Sequence, residues 1–214
     1  MAESFKDQVD AITGFGTTEN DALSDWLTAG ARLVLNAMPI HKLERVSSIQ
    51  NFTNTQDVEG KRIISVLRKD ADNRFMPCRR LEASQIGKVH DSSYMEYASA
   101  TDPAYIISNQ LVNTFPESAA ANDSRVVSIN TDITVAHGAT NIDNFPDEAE
   151  YAVVLYAARQ ALERKVSDAN ADEDVELASS YSNQYALVDA QYKEALQILG
   201  IEEIEERKLQ KDAR

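Results

Sequence analysis

The sequence predicts an α+β protein: a long-helix bundle, made of one N-terminal helix plus a C-terminal antiparallel helix pair, with a β-rich antiparallel insertion between them. Three observations predict it. Apolar residues recur at three- and four-residue spacing towards both ends of the chain, as in helices with a buried stripe. The middle is instead rich in β-branched residues separated by turn formers, as in short strands. Charge is divided the same way: of a net −14, residues 1–40 carry −4, residues 41–140 carry −1 and residues 141–214 carry −9. The organisation expected is a flexible N-terminal arm over 1–18, a helical bundle domain over 19–40 and 141–200, a β-rich insertion over 41–140, and a charged C-terminal tail over 201–214.

The first helix is expected from about Asp21 to Met38, with Leu23, Trp26, Leu27, Gly30, Ala31, Val34 and Ala37 on one stripe and Pro39 ending it. In the insertion, Arg62–Arg68 reads as a strand with Ile63, Ser65 and Leu67 on one face and Arg62, Ile64 and Val66 on the other. Ala104–Ile107 and Gln110–Phe115 read as a hairpin turning at Ser108-Asn109, with Arg125–Asn130 the third strand of a meander. Glu82–Val89 is assigned one short helix.

Asn144-Phe145-Pro146-Asp147-Glu148 opens the second long helix, with proline at its start and acids in the first turn, where the helix dipole favours them. From Ala149 to Leu162 that helix is apolar nearly all the way round, so it needs cover on more than one side. Its own helices supply one cover; the sequence leaves open whether the other is its sheet or a neighbouring subunit. An acidic loop over Ser167–Asp174 precedes a third helix. Ala178, Tyr181, Tyr185, Val188, Tyr192, Ala195 and Leu199 form one seam along it, and Gly200 stops it.

Composition removes several function classes. With 35 acidic against 21 basic residues the chain repels phosphate backbones, which disfavours a general nucleic-acid binder. The start lacks the pattern of a secretory signal, and no run approaches the roughly 20 apolar residues that span a membrane. A single cysteine, Cys78, fits folding in a reducing compartment such as the cytoplasm.

The search for chemistry yields no catalytic, metal-ligating or cofactor-binding set. His41, His90 and His137 stand far apart with no ligand spacing around them, and Gly14-Phe15-Gly16 lacks the rest of a phosphate-cradling loop and reads as a turn. Cys78 precedes Arg79-Arg80, which would lower a thiol pKa, but it stands in a strand-like stretch without a partner base and reads as a small core residue. The densest basic region, with Arg68, Lys69, Arg74, Arg79 and Arg80, is the candidate contact patch for an acidic partner.

Two stretches, Tyr97-Ala98-Ser99-Ala100-Thr101-Asp102-Pro103-Ala104-Tyr105-Ile106-Ile107-Ser108-Asn109-Gln110-Leu111 with Phe115-Pro116, and Asn144-Phe145-Pro146-Asp147-Glu148-Ala149-Glu150-Tyr151-Ala152-Val153-Val154-Leu155-Tyr156-Ala157-Ala158, resemble tailed-bacteriophage head-to-tail adaptor (connector) proteins. The opening Trp26-Leu27-Thr28-Ala29-Gly30-Ala31 and the order helix, β-rich insertion, two long helices follow the same pattern over roughly residues 20–200. The resemblance implies a structural virion protein, not an enzyme, made in the host cytoplasm and located in the neck. It implies a homo-oligomeric ring, commonly twelvefold, beneath the portal protein. That ring would meet a downstream tail or nozzle protein and let DNA pass without sequence-specific binding, with no cofactor and no membrane. On this reading Tyr151, Val154, Leu155 and Ala158 form the subunit-interface helix, the basic patch faces the tail side, and Ile201, Ile204 and Leu209 dock on the portal. The competing readings are another neck or tail-completion protein, or a soluble α+β ligand-binding protein or enzyme.

Overall fold

In the computed structural model, which describes residues 3–201, the chain divides into two compact units: residues up to 45 together with those from 133, and residues 46–132. The fold class is the expected α+β, with the β-rich unit inserted between helices.

The helical unit holds α1 (Phe5–Thr13), α2 (Asn20–Ala37), the short α3 (Ile40–Leu43), α4 (Asp147–Ala171) and α5 (Val175–Ile198). Residues 1–18 were expected as a flexible arm; instead α1 is a capped helix. Ser4 Oγ accepts from the Asp7 N–H at 3.2 Å, the Asp7 carboxylate takes the Ser4 N–H in return, and Gly14 at φ +71° closes the far end. Phe5 and Val9 on its inner face are fully buried, and the helix packs on α4.

Helix α4 runs through Ser167–Ala171, which were expected as loop, and turns into α5 at Asp172, Glu173 and Asp174. Asp174 Oδ1 accepts the Leu177 N–H at 3.0 Å, which caps α5. The α5 seam is as expected: Ala178, Val188, Tyr192 and Leu199 are buried, and Tyr181, Tyr185 and Ala195 are half-buried. Gly200 at φ +71° donates to the Gln197 carbonyl and Ile201 to that of Leu196, the paired bonds of a left-handed helix stop. Gly30 on α2 meets Tyr156 of α4 so closely that a methyl group there would lie 2.8 Å from the ring.

The inserted unit is two four-stranded sheets with a shared core. Its strands are β1 (Ser48–Phe52), β2 (Thr55–Asp57), β3 (Lys61–Lys69), β4 (Phe75–Pro77), β5 (Arg79–Leu81), β6 (Ala104–Ser108), β7 (Leu111–Phe115) and β8 (Ser124–Asn130). One sheet has the order β1-β8-β3-β4, the other β2-β7-β6-β5, and the chain changes sheet four times: at Thr53-Asn54, between β2 and β3, at Cys78, and between β7 and β8. The expected hairpin is present as β6–β7, but it turns one residue later than expected, at Asn109-Gln110, both at positive φ, with Ser108 paired to Leu111. The expected meander is not: β8 lies in the other sheet between β1 and β3.

Strand β3 corrects a second expectation. Strict alternation puts Ile63 and Val66 on opposite faces, yet both pack in the cluster of Phe52, Val58, Val112 and Val126, because an irregularity between Ile63 and Ser65 shifts the register. Strand β6 has apolar residues on both faces because it separates two cores. Tyr105 and Ile107 face the first, while Ala104 and Ile106 face a second one formed with Val89, Ala98 and Phe115 under the 82–103 segment. That segment is built of turns and one short 3-10 helix at Ala83–Gln85, in place of the expected helix through Val89.

Candidate functional site

The fold withdraws Arg68 from the expected contact patch and pairs Lys69, Arg74 and Arg79 with acids. Arg68 is only 3% exposed. One guanidinium nitrogen donates to Thr53 O at 3.2 Å, Thr114 Oγ1 at 3.0 Å and Ser124 Oγ at 2.7 Å, and the other reaches Asn54 Oδ1 at 3.4 Å. Burial lowers its pKa, opposed by Asp123, Cys78 and Glu117. Arg68 is therefore a strut for the sheet change at Thr53-Asn54, not a surface contact. Lys69 pairs with Asp123 at 3.8 Å, and Arg74 bonds Asp70 and Asp72 at 3.0 and 2.7 Å. Arg79 bonds Asp102 at 2.9 Å and the Tyr97 carbonyl at 2.6 Å. Arg80 is exposed and, among the described residues, forms no ion pair. It lines a groove of about 670 Å³ with Leu81, Glu82, Ala83, Gln85 and Ile107.

The proposed interface helix is corrected as well. Val154, Leu155 and Ala158 are fully buried within the chain itself, where α1, α2 and α5 all pack on α4. Only Tyr151, 53% exposed, is left for a neighbour. The missing cover was α1. Of the tail residues, Ile201 is buried at the end of α5 and so is not presented to a partner; Ile204 and Leu209 lie outside the described residues.

The histidines do not converge. His41 is exposed on α3, His90 meets the Phe115 ring edge-on at 5.3 Å, and His137 Nδ1 lies 3.1 Å from Ser24 Oγ. Among the described residues, no group of three or more His, Cys, Asp or Glu side chains is placed to hold a metal ion. Burial pushes the Cys78 thiol up to about 12 against the pull of Arg68, so the neighbouring arginines do not activate it. No helix of the described residues is long and apolar enough to cross a membrane.

What the sequence reading missed is the tip of the 82–103 segment. Met95 is 95% exposed, with Tyr94, Tyr97 and Ile86 exposed around it. The signal was present as Tyr94-Met95-Glu96-Tyr97, large apolar residues in a stretch with neither helical nor strand periodicity. No protein-family model matches the sequence, and no curated protein matches it.

Proposed function

We propose that this chain is a structural virion protein of a tailed bacteriophage, a head-to-tail adaptor that assembles as a ring beneath the portal, joins capsid to tail and forms part of the DNA channel. The observation that carries the reading is architectural: a bundle of long helices whose chain is interrupted, between α2 and α4, by an all-β unit. This is the element order that the resemblance implies. The charge supports it too. The helical unit with its termini holds 12 basic and 24 acidic residues, and a channel wall that repels DNA lets it slide without adhesion.

Because α4 is covered internally, ring contacts fall on other surfaces. The test is the mass of the purified protein by light scattering, alone and mixed with the portal protein of the same source. A closed ring, or a stoichiometric complex with portal, is expected; a monomer that ignores portal overturns the proposal.

A further inference from the structure

The 82–103 segment presents its tip on a rigid base. Val89 and Ala98 are buried in the second core, and the Ala98 N–H donates to the Val89 carbonyl at 3.0 Å across the neck of the segment. The tip is closed by successive turns, Tyr94 N–H to Asp91 O at 3.1 Å and Tyr97 N–H to Tyr94 O at 3.2 Å. Gln85 and Lys88 hold the Glu96 carboxylate, Lys88 also lies over the Tyr94 ring, and Arg79 donates to the Tyr97 carbonyl. Exposing a methionine and two tyrosines on so firmly tied a turn opposes burial in the fold itself, and such patches mark sites of protein contact.

The same unit carries a groove beside Arg80. It is open to solvent, about 670 Å³, and lined mainly by polar groups, with Leu81 and Ile107, whose other sides pack on the two cores, as its apolar part. Met95 does not fill it within the chain, since it is almost wholly exposed. Among the described residues Arg80 is a cation without an ion pair, and the tip carries Asp91, an acid without one. The Ser93 hydroxyl and N–H bond the Asp91 carboxylate and hold it below the usual range, so it stays charged.

We infer that the tip is a self-docking knob: Tyr94, Met95 and Tyr97 of one copy insert into the Arg80–Leu81–Ile107 groove of a second copy, with Asp91 facing Arg80. Knob and groove are formed by different residues, although Gln85 touches both; where each copy gives its knob to one neighbour and its groove to another, the contact is heterologous, and repeated around an axis it closes a ring. The inference rests on the ring reading for that closure, not for the contact itself.

The test uses the full chain with Met95→p-benzoylphenylalanine, irradiated alone and after mixing with portal. Intermolecular crosslinks to residues 80–85 or 107 are expected; in both states, an absence of crosslinks, or crosslinks mapping elsewhere, overturns the contact. In a second arm, Asp91→Arg and Arg80→Asp each weaken self-association about tenfold, and the double variant regains the native value to within about threefold. All three variants should keep the urea midpoint of the native chain, since both sites are exposed. Loss in the singles without recovery in the double overturns the pairing. Portal binding without these crosslinks sinks the inference alone, while crosslinks in a chain that forms neither a closed ring nor a complex with portal sink the adaptor reading alone.

Discussion

Thr28 on α2 holds Val135 by its main chain: Thr28 Oγ1 accepts the Val135 N–H at 2.9 Å and lies 3.5 Å from the Val135 carbonyl, a long contact. The pair is the middle rung of three. One helical turn earlier, Ser24 Oγ accepts the His137 N–H at 3.1 Å, and one turn later Arg32 Nε donates to the Ile133 carbonyl at 3.1 Å. Four helical residues advance about 6 Å, and two extended residues advance about 6.6 Å. Every second residue of the returning segment therefore meets every fourth residue of α2. These bonds satisfy a backbone that has no strand partner, and they fix where the chain re-enters the helical unit.

Thr28→Val keeps the shape of the side chain but removes the acceptor, leaving the partly buried Val135 N–H without a bond. A loss of about 1–2 kcal/mol is expected from an unpaired buried donor. Thr28→Ser, which keeps the hydroxyl, should cost less than half of that. Urea unfolding of the two variants checks the order; a larger loss in Thr28→Ser than in Thr28→Val would mean that the methyl group, not the bond, matters.

Asp189 on α5 gives a pH dependence. Partial burial raises its pKa, but bonds from Lys193 at 3.1 Å and Arg159 at 3.0 Å outweigh this and leave it below the ordinary value. A depressed carboxylate contributes stability that is present above its unfolded pKa and lost as pH falls through the folded value. Asp189→Asn should therefore cost about 1–3 kcal/mol near neutrality, where it leaves the half-buried Arg159 without its partner. The difference from the native chain should shrink as pH falls below the ordinary carboxylate value and through the lower folded one. A cost that does not change with pH would assign the loss to packing.

Helices α2 and α5 and the start of α4 were legible because each carries a complete local code. The seam from Ala178 to Leu199 and the stop at Gly200 are present in the α5 residues alone and reappear in the structure. The hairpin of β6 and β7 was legible for the same reason. What escaped was non-local. No residue near Ile63 signals the register shift of β3, and no spacing rule says that Arg68 bonds Thr114 and Ser124, which are 46 and 56 residues away. The Arg68–Arg80 cluster looked like a surface because sequence distance hides the Asp102 and Asp123 partners. The exposed tip at Met95 was hidden by its lack of periodicity, since patterns report burial and not display.

Cys78 should behave as an inert thiol in the native protein. With its folded pKa pushed up to about 12, almost no thiolate exists at pH 8, whereas an unfolded cysteine near 8.5 is partly ionised there. Alkylation by iodoacetamide is expected to be slow in buffer and fast in urea. A raised thiol pKa also means that the stabilising contribution of this group is complete below the unfolded pKa and is lost as pH rises from about 9 towards 12. Cys78→Val, which cannot ionise, should flatten that alkaline loss. Rapid labelling of the folded chain would contradict the raised pKa of this half-buried thiol.

Two misreadings share one cause. Treating residues 1–18 as an arm left α4 with an uncovered apolar face, and that face was then given to a neighbouring subunit. Helix α1 supplies the cover through Phe5 and Val9, and main-chain bonds from Phe5 to Ala139 at 2.8 Å and from Lys6 to His137 at 2.9 Å hold its start in place. Phe5→Ala should cost about 3 kcal/mol if the cavity persists, and less if the short helix frays to relieve it. Fraying is itself measurable, because it uncovers α4: amide exchange in Ala149–Leu162 should accelerate and the chain should bind an apolar dye. The same comparison made in an assembled complex separates internal cover from subunit cover. If α1 is the cover, the assembled protein responds to Phe5→Ala as the free chain does. If a neighbouring subunit covers α4, assembly restores slow exchange and the internal assignment fails.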